Sequence, residues 1–415
     1  MKKKPKEVVL IQSLVEEHTN WRRRTLNLIA SENTLSPAVS EALMNDWLGR
    51  YADFTGRDLE ARRYKGTRYI VEIEKAVETL IKRLFHAKYV ELRPISGHLA
   101  GAAVLMALCQ PGDVVLELGR DSGGHREATK LVTPALNNLD VRFLPFDGER
   151  YNIDVPAATK LIEDTKAGVI ILGSSNFLFP HPVRELKQAL LDTNPSGILV
   201  YDASHVLGLL AGGCFQDPLT EGADLIFSST HKTFPGPQGG IILTNRADLI
   251  EPISEAIYPA LVTNHHPFRM PALAIALAEM ETFGTQYARQ ICMNAQAFGS
   301  ALESEGVPCV KVDGIYSRSH TVLARVAQFG SGSEIADKLE TADIICTATG
   351  LPKYQGGDGI RLGVQELTHH GATKAEMQQV ALLIADVVLQ RRPIDEVCES
   401  VHAFTRQLGP TLFTF

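Results

Sequence analysis

Seven short apolar runs, most of them separated by helix-like segments, occupy the part of this chain between residues 89 and 243. Continuous apolar runs flanked by Gly and Pro are typical of strands buried on both faces. Their alternation with helices predicts an α/β fold with a mostly parallel sheet. Ligands of such sheets bind at the carboxyl ends of the strands. The runs are 89–92, 114–118, 141–145, 169–173, 198–201, 225–227 and 241–243.

The segments on either side of this sheet predict the domain organisation. Residues 7–24 have the pattern of an amphipathic helix that would lie on a partner or a neighbouring lobe, and Ser36-Pro37 is a helix start. A long helix should bridge to a smaller C-terminal α+β lobe, with strands at 309–312, 320–326 and 360–362 and helices at 333–339 and 374–389. We therefore expect an N-terminal helical arm at 1–60, a large cofactor-binding domain at 61–270, a bridging helix at 271–305 and a small domain at 306–415.

Composition argues against several classes of function. The chain has 41 basic and 48 acidic residues, a net charge of −7, which gives no indication of a nucleic-acid partner. The apolar stretch 8–11 is too short for a signal peptide, and no run approaches the roughly 20 apolar residues of a membrane helix. Six scattered cysteines without CxxC spacing argue against a zinc site or a disulfide framework. We therefore expect a cytoplasmic protein without a metal.

Small or ionisable residues follow five of the predicted strands. They form the groups Ser96-Gly97-His98, Ser122-Gly123-Gly124-His125, Gly173-Ser174-Ser175, Asp202-Ala203-Ser204-His205 and Ser229-Thr230-His231-Lys232. Each has an ordinary explanation by itself: Asp202 as a helix cap, the histidines as interior side chains, and Lys232 as a surface lysine. Their common position at one edge of the sheet indicates that they act together.

The combined groups match the needs of pyridoxal 5′-phosphate (PLP). That cofactor requires a lysine for its covalent link, a carboxylate at its ring nitrogen, a phosphate cradle, and a flat side chain over its ring. Lys232 and Asp202 supply the first two. The turn at 96–98 before a helix is an anion cradle, because free backbone amides and the helix dipole favour a phosphate. The sequence thus predicts a PLP enzyme.

Several motifs, in order, resemble those of serine hydroxymethyltransferases. They are 27–33 (NLIASEN), 122–125 (SGGH), 202–205 (DASH), 230–233 (THKT) with Gly236-Pro237 and Gly239-Gly240, and 359–363 (GIRLG). The similarity extends from about residue 7 to 390. It implies the fold type I of PLP-dependent transferases, with a mostly parallel seven-stranded sheet and a small C-terminal domain. It also implies a homodimer with shared active sites.

The resemblance also implies roles for individual residues. His125 would stack on the cofactor ring, Ser175 would bind its 3′-oxygen, and Asp202 its nitrogen. Arg361 would hold the substrate carboxylate by a bidentate pair, and Tyr51 would come from the partner subunit. The cofactor-binding set is Ser96, Gly97, His98, His125, Ser175, Asp202, His205, His231, Lys232, Thr263 and Asn264. The substrate-binding set is Ser31, Tyr64 and Arg361, and the catalytic set is Lys232, His125, Asp53, His205 and Tyr51.

The departures from the family pattern fall mainly on the folate side and at the phosphate rim. Asp53 stands where the family has glutamate, and Arg126 where it commonly has a leucine against folate. His98 replaces a phosphate-binding serine, and Thr263-Asn264 replaces a Gly-Gly pair. The loop 351–358 is short and lacks the family's Pro- and Phe-containing folate segment. Stretches 230–237, 263–264 and 359–366 resemble threonine transaldolases instead.

Three functions therefore stay open at this point. The chain is a glycine/serine hydroxymethyltransferase using tetrahydrofolate or a related pterin, or a folate-independent L-threonine aldolase or transaldolase. Both act on the Cα–Cβ bond of β-hydroxy amino acids, with amino acids and aldehydes as substrates. A PLP-binding protein with a regulatory role is the third reading. The retention of Lys232, Asp202, His205 and Arg361 argues against it, because a protein without turnover has no need of the carboxylate clamp.

Overall fold

The N-terminal part of the chain is mainly helical. The computed structural model describes residues 4–131, 138–352 and 357–415, so the predicted 351–358 loop lies partly outside the described residues. Helix α1 spans Lys6–Arg23, strand β1 Leu26–Asn27, α2 Pro37–Leu43 and α3 Arg68–Phe85. The expected start of α2 is confirmed, since the Ser36 hydroxyl accepts from the Val39 amide. No residue of α1 is buried, so this helix leaves the apolar side chains of 8–15 exposed.

All seven strands expected between 89 and 243 form one sheet. They are β2 (Tyr89–Glu91), β3 (Val114–Glu117), β4 (Asp140–Phe143), β7 (Val169–Leu172), β8 (Ile198–Asp202), β9 (Leu225–Ser229) and β10 (Gly240–Thr244), while β5 (Phe146–Asp147) and β6 (Asn152–Ile153) make a separate hairpin. The order is β2-β10-β9-β8-β7-β3-β4. Only β10 runs antiparallel to its neighbours. The mostly parallel sheet is therefore confirmed.

The inner strands of this sheet are buried on both faces. Successive residues of a strand point to opposite sides, so each strand contributes to two apolar cores. In β7, Val169 and Ile171 belong to one apolar core and Ile170 and Leu172 to the other. The first core is covered by α4 (Gly97–Leu108), α5 (Glu127–Leu131) and α10 (Ala247–Glu255). The second is covered by α6 (Val155–Thr165), α7 (Val183–Thr193) and α8 (Leu207–Ala211), and α9 (Pro218–Glu221) precedes β9. Helices on both faces explain the near-continuous apolar strands.

The C-terminal part follows a long helix, α11 (Arg269–Ser304). Its elements are β11 (Thr321–Arg325), α12 (Gly332–Thr341), β12 (Ile344–Ile345), β13 (Thr347–Gly350), β14 (Asp358–Gly363), α13 (Gln365–His369), α14 (Lys374–Val388) and α15 (Ile394–Thr405). Strand β14 lies between β11 and β13, antiparallel to both. Strand β1 pairs in parallel with β12, which ties the N-terminal segment to this part.

One expected C-terminal strand does not form. Residues 309–312 make only isolated bridges, Cys309 with Ala324 and Val312 with Ile315. The chain reverses directly after them, at Asp313 and Gly314, which both have positive φ. This tight turn leaves too short a segment for a ladder. The described helices include none that is long and apolar enough to cross a membrane.

Candidate active site

The parallel strands β7, β8 and β9 bring the predicted polar groups to one edge of the sheet. Asp202 is the last residue of β8 and is 9% exposed. One of its carboxylate oxygens accepts from the Ser204 amide at 2.9 Å, which leaves the other oxygen able to accept from a further donor. Asp202 pairs with Phe227 of β9, so the loop that leaves β9 begins next to this carboxylate.

Lys232 lies in that loop, which is held at several points. The side-chain Nδ2 of Asn33 donates to the Lys232 carbonyl at 2.7 Å, and the Thr230 hydroxyl donates to the Pro237 carbonyl at 2.6 Å. Burial lowers the pKa of Lys232, while the nearby Asp202 opposes this shift. A desolvated lysine with a lowered pKa is more often a neutral amine, which is the form that attacks a carbonyl carbon. Lys232 therefore suits a covalent link to an aldehyde cofactor.

The turn before α4 has the features of a phosphate cradle. Ser96 caps the helix, since its hydroxyl accepts from the Leu99 amide at 3.1 Å. Gly97 packs so closely on β9 that a Cβ there would lie 2.8 Å from the Ser229 amide nitrogen. The Ser229 hydroxyl is buried without a partner among the described residues. A helix N-terminus with an unpartnered hydroxyl beside it fits a phosphate group.

A buried carboxylate links the two histidines on this side of the site. Glu127 is 2% exposed; its Oε1 lies 2.6 Å from Nδ1 of His98, and its Oε2 lies 3.2 Å from Nε2 of His125. The bond to Glu127 raises the pKa of His98. Burial alone would raise the pKa of Glu127, but the two histidines outweigh burial and lower it. His98 therefore tends to be an imidazolium at the phosphate cradle. Sequence reasoning missed Glu127, although its partner His125 stands two residues before it and was a predicted site residue.

Arg361, in the middle of β14, reaches the carboxyl end of β7. Its Nη1 donates to the Ser175 carbonyl at 2.8 Å, and its Nε is buried without a partner among the described residues. Burial lowers the pKa of Arg361 to about 10, which keeps the guanidinium charged near neutral pH. Its remaining donors are free to bind a planar carboxylate.

His205 stacks on a second histidine that was not predicted. Its ring lies 5.6 Å from that of His320, with an angle of 21° between the planes. Nε2 of His320 lies 3.0 Å from the Ala30 carbonyl oxygen. Burial lowers the pKa of both histidines, that of His320 to about 3, and the positive Lys232 and Arg361 add to the effect. Both rings are therefore neutral. The only signal for His320 in the sequence was its position at the start of a predicted strand.

Two cavities open at this edge of the sheet. The first, of about 1090 Å³, is lined by Lys232, His231, Ser31 and the buried Glu366, among others. Burial raises the pKa of Glu366 to about 7 and lowers that of His231 to about 4. The second, of about 540 Å³, is lined by Arg361, Ser175 and His125. The positive charge of Arg361, in the second cavity, helps burial to lower the pKa of Lys232 in the first.

A second group of predicted site residues lies elsewhere. Neither cavity, as described, is lined by Tyr51, Asp53, Tyr64, Thr263 or Asn264. Tyr51 and Tyr64 are exposed, with ring centroids 5.2 Å apart. Asp53 is only 4% exposed, with Oδ1 4.0 Å from Nδ1 of His265, and burial raises its pKa. The Asn264 amide donates to the Arg50 carbonyl at 3.4 Å. Within one chain, these contacts of Tyr51, Asp53 and Asn264 are thus with Tyr64, His265 and Arg50.

Two trios of side chains have the spacing of metal ligands. The ligand atoms of His98, His125 and Glu127 all lie within 4.8 Å of one another, and so do those of Asp343, Cys398 and His402. The second trio is joined by hydrogen bonds, with Nε2 of His402 2.6 Å from Oδ2 of Asp343. The expectation that the protein needs no metal stays a prediction.

Comparisons with known proteins agree with this arrangement. A model of the serine hydroxymethyltransferase family matches residues 4–384. Serine hydroxymethyltransferase of Methanopyrus kandleri is 45% identical over 406 residues, covering 97% of this chain and 94% of the relative. That of Saccharolobus solfataricus is 40% identical over 399 residues, with 95% and 91% covered. The crystal structure of L-threonine transaldolase from Pseudomonas fluorescens superposes with a TM-score of 0.91 at 28% identity, covering 98% of this chain and 93% of that one.

Proposed function

This chain belongs to the serine hydroxymethyltransferase family of PLP-dependent transferases, and we propose that its site makes and breaks the Cα–Cβ bond of β-hydroxy amino acids, with serine and glycine as the main pair. One observation carries the proposal. Asp202 ends β8, Lys232 lies in the loop after the neighbouring β9, and Arg361 donates to the Ser175 carbonyl just beyond the neighbouring β7. This arrangement supports a covalent anchor, a ring-nitrogen partner and a carboxylate clamp at one site.

The residues present fit PLP. Lys232 would hold it covalently, Asp202 would accept from its ring nitrogen, and the 96–98 turn with the Ser229 hydroxyl would receive its phosphate. His125 would cover the ring, and Ser175 would meet the 3′-oxygen. When bound, PLP supplies an electron sink for the pair left at Cα.

The chain's own side chains would orient the amino acid and move its proton. Arg361 would bind the α-carboxylate and, with Ser31, fix which bond of Cα stands ready to break. The proton of the β-hydroxyl would go to Asp53, to His125 or to a water, in that order of preference. The raised pKa of the buried Asp53 suits a group that must both accept and return a proton. Release of the aldehyde then leaves glycine once Cα regains a proton.

We further propose a cytoplasmic homodimer in which Tyr51, Asp53, Thr263 and Asn264 complete the partner's site. In its support, the Tyr51 side chain is 52% exposed and so is accessible to a second chain. Helix α1 leaves Val9, Ile11 and Val15 more than half exposed, and a second copy would cover them. The division at 61–270 and 306–415 accords with α11 leading out of the sheet.

Tetrahydrofolate is proposed as the carrier of the one-carbon unit in the main reading. A folate-independent L-threonine aldolase or transaldolase is the second candidate, and one observation favours it. Among the described residues that line the cavity beside Arg361, Ala348 is the only one with an apolar side chain. An aromatic carrier would find no apolar face there, whereas a small aldehyde needs none.

Isotope exchange at glycine tests the function and separates the two candidates. The PLP-loaded protein should exchange a Cα hydrogen of glycine with D₂O, as followed by NMR, because Arg361 and Lys232 together labilise that bond. Exchange that tetrahydrofolate strongly accelerates would support the hydroxymethyltransferase. Exchange indifferent to tetrahydrofolate, together with acetaldehyde release from L-threonine, would support the aldolase or transaldolase. If the protein binds PLP but exchanges no hydrogen of glycine, the proposed function is wrong.

A further inference from the structure

The cavity beside Arg361 is strongly cationic. Its lining carries four cationic side chains and, among the described residues, one carboxylate, that of Asp358. Asp358 is exposed at the rim of the cavity. Hydroxyl groups of 331, 333, 347 and 349 complete the lining. The cations are Arg120, Arg126, Lys130 and Arg361.

Two of these four cations have a task in the site already described. Arg361 is the clamp for the amino-acid carboxylate. Nζ of Lys130 lies 3.0 Å from Nε2 of His125, and its charge acts on His98, so it belongs to the cofactor's edge. Arg120 and Arg126 remain. In the part of the chain that the structure describes, neither guanidinium makes a hydrogen bond or an ion pair.

The turn that carries Arg120 and Arg126 is held firmly. The Gly124 amide donates to the Gly119 carbonyl at 2.9 Å, and a Cβ at Gly124 would lie 1.9 Å from the Leu118 carbonyl oxygen. Both the Ser174 hydroxyl and the Ser175 amide donate to the Gly123 carbonyl. Arg126 itself has a φ of 59°, a conformation that a non-glycine residue keeps only where its surroundings impose it. The backbone that carries the two arginines is therefore fixed at the cavity, where the Arg120 side chain is exposed and that of Arg126 is half-buried.

The lining also argues against a neutral, aromatic occupant. Arg126 stands where the family commonly has a leucine, and Ala348 is the only apolar side chain among the described lining residues. A guanidinium presents a planar fork of donors that matches a carboxylate or a phosphate. Two such groups without a partner, in a recess that adjoins the reacting carbon, are suited to an anion.

We propose that the second substrate of this enzyme is an anionic aldehyde, whose carboxylate or phosphate Arg120 and Arg126 bind. The inference rests on the proposed aldol function and names its substrate class. In the synthetic direction, Cα of glycine loses a proton, and its electron pair forms the bond to the aldehyde carbon. The aldehyde oxygen takes up that proton equivalent, so that glycine and aldehyde give one β-hydroxy amino acid without any oxidant or reductant. Arg361 holds one anionic group during this step, and the arginine pair holds the other.

Matched aldehydes test the proposal on the PLP-loaded enzyme. Glycolaldehyde phosphate and succinate semialdehyde are compared with neutral glycolaldehyde and butanal, and the β-hydroxy amino acid formed with glycine is measured by mass spectrometry. Since a charge-assisted hydrogen bond contributes about 10-fold or more in affinity, the anionic aldehydes should have at least about 10-fold higher kcat/KM. Added salt should reduce this advantage.

Two variants assign the effect to the arginines. Arg126→Leu and Arg120→Gln should each remove most of the anionic preference and leave the neutral aldehydes within about 2-fold of the parent enzyme. The matched control is Arg184→Leu, because Arg184 is exposed on α7, away from the cavity. An equal rate for charged and neutral aldehydes, or an unchanged preference in both variants, would overturn the proposal.

A binding measurement completes the test. Binding of inorganic phosphate and of succinate to the holoenzyme is measured by calorimetry, and both should weaken in the two variants. If glycine exchange and all aldehyde addition fail, the aldol function is wrong. The calorimetry still decides whether the arginines bind anions. Equal binding of both anions to the parent enzyme and to the two variants would refute the anion site.

Discussion

Nδ1 of His98 lies 2.6 Å from Oε1 of Glu127, and the other oxygen of this carboxylate lies 3.2 Å from Nε2 of His125. One buried carboxylate thus joins the turn after β2 to the turn after β3. His98 stands where the family pattern has a serine, so the cradle has an imidazole, made easier to protonate by Glu127, in place of a hydroxyl. Glu127 is a positioning residue in this arrangement, because it touches the two histidines and not the substrate.

Glu127→Gln should change how PLP binding depends on pH. Glu127 raises the pKa of His98, so the imidazolium persists to higher pH than in free histidine, whose pKa is about 6.5. PLP affinity should therefore fall as the pH rises through the raised pKa, and in the variant this fall should come at lower pH. Spectroscopic titration of apoenzyme with PLP across pH measures it, with Glu185→Gln as the surface control. Identical profiles in all three proteins would rule out the role.

Lys232→Ala should abolish the covalent link to PLP. The expected results are loss of the visible absorbance of lysine-bound cofactor and loss of turnover by several orders of magnitude, because the buried amine is the anchor. Borohydride reduction followed by peptide mass spectrometry should label residue 232 in the parent enzyme. Lys160→Ala, on the exposed face of α6, is the control. Persistence of absorbance and activity in the variant would contradict the assignment.

Arg361→Lys should weaken amino-acid binding far more than PLP binding. An ammonium cannot form the bidentate pair that the guanidinium offers a carboxylate, and the expected loss in glycine or serine affinity is about 10- to 100-fold. Equilibrium titrations with PLP and with glycine separate the two effects. Equal loss of both affinities would indicate damage to the β14–β7 contact through the Ser175 carbonyl.

Gly97→Ala should damage the phosphate cradle. The added Cβ would lie 2.8 Å from the Ser229 amide nitrogen, so β9 or α4 must shift, and overpacking of this kind costs about 1–3 kcal/mol. Lower PLP affinity and a lower Tm are both expected. Gly49→Ala is the matched control, since a Cβ there meets nothing within 4 Å. A variant with parental affinity for PLP would show that Gly97 does not shape the cradle.

Shared active sites should allow two inactive variants to restore each other. In a mixture of Lys232→Ala and Tyr51→Phe subunits, half of the dimers are mixed, and one of their two sites carries both native residues. About a quarter of the parental activity should therefore return after subunit exchange. The measurement is the activity of the mixture against each variant alone. Failure to recover activity, despite subunit exchange confirmed by mass, would place Tyr51 in its own chain's site.

The sequence predicted the sheet well because its signal is local. All seven apolar runs became strands, and all but the edge strand β4 are largely buried on both faces, which makes the runs continuous. The run at 309–312 was wrong as a strand, because the turn at Asp313 ended it. Periodicity alone does not reveal such a turn.

The site residues that belong to a motif could be predicted from the sequence, whereas those defined by contacts with distant parts of the chain could not. Lys232, Asp202 and Arg361 stand in motifs, and the structure brings them to one edge of the sheet. His320 contacts the Ala30 carbonyl and Glu127 contacts His98, both far along the chain, although the second partner of Glu127, His125, stands only two residues before it.

The pairing of β1 with β12 has a consequence for synthesis on the ribosome. Trp21 donates to Asp343 at 2.6 Å across 322 positions, and Leu26 and Asn27 find their only strand partners in Ile344 and Ile345 among the described residues. Ser31 and Asn33 follow directly, so the first-made side of the substrate site must wait for residues that emerge near the end of translation. A nascent chain stalled before residue 340 would therefore carry a formed sheet and an undocked amino terminus, a natural substrate for chaperones.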